Sequence, residues 1–360
     1  MMKKSMLSVS RYREIEVAGT PREMGRQLGE AAGEEICGFH EIALQQLGRT
    51  IRISHARAME VAAQSISYAE DYSPSMVEEL RGAAEASRLN LEDLMLLQIR
   101  NQLHAAADAG CTSLSLSPCK TTRSGNLVAQ NWDNDPALDP ITIVLTRRPT
   151  GKPALVNLTQ AGLIAYIGFN EAGIGVCLNA LPAPARALGV PHYFAVRGIY
   201  EADSLAGAVE SVRRAQRAIP ANIMLATPQG PADLEITIDQ VHVLQATDSV
   251  GISHTNHCLH PELQPTNEQF PELIQSYARK QRIDSLLSFS SDRRSSVDDV
   301  QAALRNHEDY PRSICRHTND DPGTGYWQTV FSVIIEPEKR QMHVSRGTPC
   351  DHPYEVYRLA

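Results

Sequence analysis

The chain has 360 residues, with 34 Lys+Arg against 42 Asp+Glu and a formal net charge of −8. That balance excludes a nucleic-acid binder that works by bulk phosphate neutralisation. With 42% hydrophobic and 21% charged residues, the chain is an ordinary globular protein rather than a disordered one, and its length allows two domains or one large layered domain.

The start carries Lys3 and Lys4 but no apolar h-region, so no secretory signal is expected. Residues 20–110 read as about four helices. Thr20-Pro21-Arg22-Glu23 offers an N-cap, a proline at the first helical position and an acidic first turn. Met24, Leu28, Ala31, Ala32 and Ile36 follow at helical spacing. Alanine-rich helices are predicted at 56–70 and 77–88, and another opens at Asn90 and runs to about His104.

The pattern changes at Ala109-Gly110-Cys111. Short strands are predicted at 112–116, 127–132, 141–146, 154–158 and 173–178, each bounded by turn residues. Helices return at 203–217, 272–288 and 296–306. Further strands are predicted at 222–226, 233–238, 241–246, 329–335 and 340–345, the last two as a hairpin around Glu336 to Lys339. Residues 258–272 and 317–326 read as irregular surface loops. The predicted class is therefore α+β, a helical N-terminal segment followed by two packed sheets with helices on their outer faces. No apolar run approaches the roughly 20 residues that span a bilayer, so no membrane partner is expected.

The seven cysteines are odd in number and widely spread, with no C-x-x-C pair. This fits a reducing, cytoplasmic compartment. Cys111 stands where the helical part ends. On composition it reads as a buried small hydrophobe at a strand start. The other reading is chemical: its thiol attacks the Gly110 carbonyl in an N-to-S acyl shift, and hydrolysis of the thioester frees the Cys111 α-amine. An α-amine titrates near 7.7–8.0, so one residue then supplies nucleophile and general base.

Six motifs in order add to that reading. They are Gly19-Thr20-Pro21 with Gly25 and Gly29; Asp108-Ala109-Gly110-Cys111-Thr112-Ser113; Gln130-Asn131-Trp132-Asp133; Gly168-Phe169-Asn170-Glu171-Ala172-Gly173 continuing to Asn179-Ala180-Leu181; His254-Thr255-Asn256-His257-Cys258-Leu259; and Tyr310-Pro311-Arg312-Ser313-Ile314-Cys315-Arg316. On these, from about Ile15 to Leu359, the chain resembles the acyl-coenzyme A:6-aminopenicillanic acid (isopenicillin N) acyltransferase family of N-terminal-nucleophile hydrolases. The resemblance implies a four-layer αββα sandwich and a zymogen that cuts itself between Gly110 and Cys111. The α piece, 1–110, and the β piece, 111–360, stay associated. It also implies Cys111 as nucleophile, Asn256 as the oxyanion residue, and Asp133 with Arg316 as a charged pair that orients the new N-terminus. Each role has a local alternative: Asn256 a turn residue, Asp133 a loop start, Arg316 a solvated arginine. Thr112, Ser113, Asn131, Phe169 and His254 are candidate substrate contacts, with packing as their alternative.

His254, His257, Cys258 and His260 place four ligand-type residues in seven positions. On a strand 254, 258 and 260 share one face while 257 takes the other, and no second stretch has ligand spacing, so no metal and no cofactor are expected. The expected activity is an amidohydrolase or acyltransferase working through a Cys111 acyl-thioester on small N-acyl or aminoacyl amides or short peptides. Water is favoured as acceptor, since no Gly-rich phosphate motif marks a coenzyme A site. Rivals are an acyl-coenzyme A-dependent N-acyltransferase, an uncleaved binding protein, and a thiol protease using His254 or His257 as base.

Overall fold

The computed structural model describes residues 10–49, 53–103, 110–122, 125–245, 251–270, 275–288 and 293–360. Asp108, Ala109 and the expected helix end at His104 lie outside them.

The N-terminal segment is not purely helical. It opens with strand β1, Glu14–Gly19, in which Ile15 and Val17 are buried and Glu14 and Glu16 exposed. Four helices follow: α1 (Pro21–Arg49), α2 (His55–Tyr72), α3 (Pro74–Ser87) and α4 (Leu91–Ile99). Glu23 Oε2 accepts from Thr20 N and Oγ1 at 2.8 and 2.7 Å, closing the start of α1 as the Thr-Pro-x-Glu pattern predicts. Helix α1 lies so close to α3 that a Cβ on Gly25 would overlap Glu79 O, and one on Gly82 would overlap Arg22 O. The glycine of the N-terminal motif is thus required by helix approach.

The body contains strands β2 (Gly110–Leu116), β3 (Leu127–Asn134), β4 (Thr142–Pro149), β5 (Leu155–Gln160), β6 (Ile167–Asn170) and β7 (Gly175–Asn179). Helices α5 (His192–Tyr200) and α6 (Leu205–Arg213) precede β8 (Ala221–Thr227), β9 (Gly230–Ile236), β10 (Val241–Leu244) and β11 (Gly251–His254). Then come α7 (Ser276–Leu287), α8 (Val297–Leu304), β12 (Gln328–Glu336), β13 (Gln341–Arg346) and β14 (Tyr354–Arg358). The predicted 336–339 hairpin is present. Four strands and one helix went unpredicted. β1, β6, β11 and β14 have only four to six residues each, and α5 is buried from Tyr193 to Tyr200, so it shows no polar face.

The strands form an eight-stranded sheet, ordered β1-β4-β5-β6-β7-β8-β9-β10, and a six-stranded sheet, ordered β11-β2-β3-β12-β13-β14. They face each other through β2 and β3 against β7 and β8. Helix α1 covers the outer face of the large sheet at β1, β4 and β5, and α7 and α8 cover the small sheet at β2, β11, β3 and β12. The result is the four-layer αββα sandwich. Trp132 joins the layers, stacked on Phe331 at 4.8 Å and edge-on to Tyr166 at 5.8 Å.

One hydrophobic core runs from Tyr12 to Leu359 and includes residues of α1 to α6 and both sheets. Residue 110 therefore marks no gap in packing. β1 pairs in parallel with β4, from Glu14 opposite Val144 to Gly19 opposite Pro149. Glu79 of α3 accepts from Arg147 of β4 at 2.6 Å and lies 3.3 Å from Arg197 of α5, all three buried. No helix among the described residues is long and apolar enough to cross a membrane.

Candidate active site

Gly110 and Cys111 are consecutive residues at the start of β2. The β2–β3 register sets Gly110 opposite Asp133 and Cys111 opposite Trp132. Strand alternation then divides the side chains. Cys111, Ser113, Gln130 and Trp132 share the face toward the large sheet, where Gln130 Nε2 donates to Leu178 O of β7. Thr112, Asn131 and Asp133 share the face toward α7 and α8. Asn131 Nδ2 donates to Leu304 O and Ile314 O at 2.8 and 2.9 Å, holding the end of α8 and the stretch that leads to Arg316.

Asn256 sits against Cys111. Its Oδ1 accepts from Cys111 N at 2.9 Å, and its Nδ2 donates to Ala180 O at 3.1 Å. The turn that delivers it is tied down on two sides. Asn179 Nδ2 donates to His254 O and Thr255 O, and Ser276 Oγ accepts from Asn256 N at 2.8 Å. The motif Asn179-Ala180 and the start of α7 thereby position Asn256.

Asp133 lies within β3 rather than past its end, and it is fully buried. Thr329 Oγ1 donates to Asp133 Oδ1 at 2.7 Å, while Asp133 Oδ2 has no partner among the described residues. Burial pushes this carboxyl up to about 6, against the pull of Arg279, Thr329 and Arg316. Arg316, expected to pair with Asp133, makes no direct hydrogen bond to it. Its Nε and Nη2 donate to Trp327 O and Thr324 O, and Nη1 has no partner. Thr329 Oγ1 lies between the two, accepting from Arg316 N at 2.9 Å. Arg316 therefore acts on Asp133 across space.

Among the described residues the cation in contact with Cys111 is Arg279 of α7, which sequence reasoning missed. Its Nη2 donates to Asn256 Oδ1 at 2.8 Å, and its Nη1 to Thr112 Oγ1 at 2.9 Å and to Cys111 O. Arg279 is buried. In sequence it stands in the charged run Arg279-Lys280-Gln281-Arg282, and only the turn of α7 distinguishes it from its neighbours.

Burial, with Asp133 adding to it, pushes the Cys111 thiol up to about 12.

The other candidates separate from the site. Phe169 is a core residue of β6. Ser113 Oγ reaches only His254 O, at 3.5 Å. His254 is buried, with Nε2 2.8 Å from Glu235 Oε1 and Nδ1 2.8 Å from Thr255 O. Burial opposes its charge, but Asp233 and Glu235 raise its pKa overall. His257 Nδ1 is 2.7 Å from Ser276 Oγ, and burial lowers its pKa to about 4. Both rings are committed elsewhere, which leaves the thiol-protease reading without its base. β11 ends at His254, so the alternation expected for 254–260 does not apply. Those four do not converge. Among the described residues a different set, His307, Cys315, His317 and Cys350, comes together, against the expectation of no further ligand cluster.

Residues 120–351 match the family model described as acyl-coenzyme A:6-aminopenicillanic acid acyl-transferase. The chain is 30% identical over 345 residues to the acyl-coenzyme A:6-aminopenicillanic-acid-acyltransferase 40 kDa form of Emericella nidulans, covering 94% of this chain and 93% of that one. Penicillin V acylase from Agrobacterium tumefaciens aligns with a TM-score of 0.47 at 12% identity, over 69% of this chain and 86% of that one. A mutant form of conjugated bile acid hydrolase from Clostridium perfringens gives 0.46 at 12% identity, over 69% and 97%.

Proposed function

Since this chain belongs to the acyl-coenzyme A:6-aminopenicillanic acid acyl-transferase family, we propose that it is an enzyme that matures by cutting itself between Gly110 and Cys111 and then transfers acyl groups through a Cys111 thioester. The observation that carries this is the Cys111 amide nitrogen, held by Asn256 at 2.9 Å, with Asp133 directly across the register from Gly110.

In maturation the Cys111 thiol adds to the Gly110 carbonyl, the C–N bond breaks as the nitrogen takes a proton, and a thioester forms. Water then hydrolyses the thioester, leaving the Gly110 carboxylate and a free Cys111 amine and thiol. The new amine is one residue from Gly110's place opposite Asp133; once it takes the thiol proton, this carboxylate stabilises the resulting ammonium, whose charge in turn lowers the thiol pKa. In turnover the amine takes the thiol proton and the thiolate attacks an amide carbonyl. Asn256 Nδ2 and a backbone N–H meet the oxyanion. The leaving amine departs with the proton.

Water resolves the acyl-thioester in the primary reading, which makes the protein an amidohydrolase of small N-acyl amides. In the second reading an amine is the acceptor and a coenzyme A thioester the donor. The name of the Emericella nidulans relative supports that one. The test is intact mass of the denatured protein, then acyl release from small amides with and without amine acceptors and acyl-coenzyme A. Wild type should give pieces of about 12 and 27 kDa from the 39.6 kDa chain, with Cys111 as a new N-terminus. Cys111→Ala should stay whole and inactive. Amidase activity from the whole Cys111→Ala chain would sink the mechanism, and a whole, inactive wild type would favour the binding-protein reading.

A further inference from the structure

We propose that His307, Cys315, His317 and Cys350 form a four-ligand site for a zinc-class divalent cation, which fastens the Arg316 segment to the sheet behind it. The four donor atoms all lie within 4.8 Å of one another. Cys315 Sγ and Cys350 Sγ are 3.6 Å apart. His317 Nε2 is 3.7 Å from Cys315 Sγ and 3.4 Å from Cys350 Sγ, and the two imidazole Nε2 atoms are 3.1 Å apart. A tetrahedral zinc with bonds of about 2.3 Å to sulfur and about 2.0–2.1 Å to nitrogen needs edges of about 3.8 Å for S–S, 3.6 Å for S–N and 3.3 Å for N–N. The four measured edges agree with these within a few tenths of an ångström.

The donor set points the same way. Two thiols and two imidazoles with no carboxylate among them suit zinc and disfavour magnesium or calcium. Both cysteines are free, and their sulfurs are far beyond the length of a disulfide. Cys350 Sγ also lies 3.2 Å from Asp351 Oδ2, an outer carboxylate of the kind that orients metal ligands. Binding is proton-balanced: each thiol gives up one proton as the dication enters, and the net charge of the site is unchanged.

The ligands come from three stretches. His307 follows α8, Cys315 and His317 flank Arg316, and Cys350 follows β13. A bound cation would fix the backbone on both sides of Arg316, whose own N and O pair with Thr329 Oγ1 and Thr329 N. The site is separate from Cys111, so its existence does not depend on the acyl-transfer reading.

The test uses full-length protein stripped with chelator under reductant, then titrated with cobalt(II) and zinc(II). One equivalent of cobalt should produce thiolate-to-metal charge transfer and tetrahedral d–d bands, displaced by one equivalent of zinc. Zinc should also raise the melting temperature. His307 is exposed and Cys350 half-buried, so His307→Ala and Cys350→Ser are expected to keep the fold, which far-ultraviolet circular dichroism checks. His307→Ala should weaken zinc on the order of 100-fold, and Cys350→Ser should halve the charge-transfer band. The proposal is overturned if cobalt saturates without charge transfer, as binding at His242, His260 and Glu262 would give. Wild-type spectra and affinity in both variants would overturn it as well.

Discussion

Replacing Asp133 by asparagine should make the uncut protein more stable while abolishing its maturation. The folded carboxyl titrates near 6 because it is buried with one oxygen unpartnered. An unfolded aspartate titrates near 3.9. Between those two values the folded state holds a proton that the unfolded state has lost, so stability falls as pH rises through this window. The cost is absent below about pH 4 and complete above about pH 6. At 1.36 kcal/mol per unit it reaches about 3 kcal/mol at pH 8 and about 1 kcal/mol at pH 4.5. Asparagine keeps an oxygen for the Thr329 hydroxyl and carries no charge to desolvate. The assay is urea unfolding of Cys111→Ala against Cys111→Ala/Asp133→Asn, a background in which both chains stay whole. The double variant should gain about 3 kcal/mol at pH 8, shrinking to about 1 kcal/mol at pH 4.5. A pH-independent difference, or a loss at pH 8, would refute the reasoning. In the Cys111-containing chain the same substitution should leave the precursor uncut, since the carboxylate opposite Gly110 that would balance the new ammonium's charge is gone.

Arg279→Ala removes three hydrogen bonds around Cys111. Processing measured by gel densitometry should slow about 10²–10³-fold, the scale of losing one aligned donor. Arg279→Lys should recover only part, because an ammonium cannot span Thr112 and Asn256 together. Asn256→Ala should depress kcat far more than His254→Ala; equal losses would restore the histidine as a base. Glu79→Ala leaves Arg147 and Arg197 buried without their carboxylate and should cost about 3–5 kcal/mol in a denaturant melt. A change under about 1 kcal/mol there would mean water or a neighbour compensates the arginines.

The layered architecture was legible because long runs carry it: α1 to α4 show helical spacing, and the strands from β2 to β5 sit between clear turn signals. β1, β6, β11 and β14 were not legible, since four to six residues hold too few alternations to rise above loop patterns. At the site, Cys111, Asn256 and Asp133 were named through their motifs, and the register of β2 on β3 sets Asp133 opposite Gly110, next to Cys111. Arg279 was hidden because its role depends on which side of α7 faces β2. Arg316 was named, but its distance from Asp133 depends on Thr329, 13 residues further along. The sulfur and imidazole cluster was invisible for a similar reason: Cys350 is contributed by a turn 33 residues beyond His317, and no linear spacing encodes it.

The parallel pairing of β1 with β4 makes order of events matter. While the chain is whole, residues 14–103 and the body meet at an effective concentration on the order of millimolar, and folding is a first-order process. Once 110 and 111 are parted, the same contacts must be found by two separate molecules. A nicked sample that is denatured and returned to native buffer should then regain structure at a rate that scales with protein concentration, whereas Cys111→Ala should refold independently of it. If the chain is cut as proposed, the nicked form persists through the reassociation of its two pieces as well as through slow opening, and dilution would weaken it where the whole chain is unaffected.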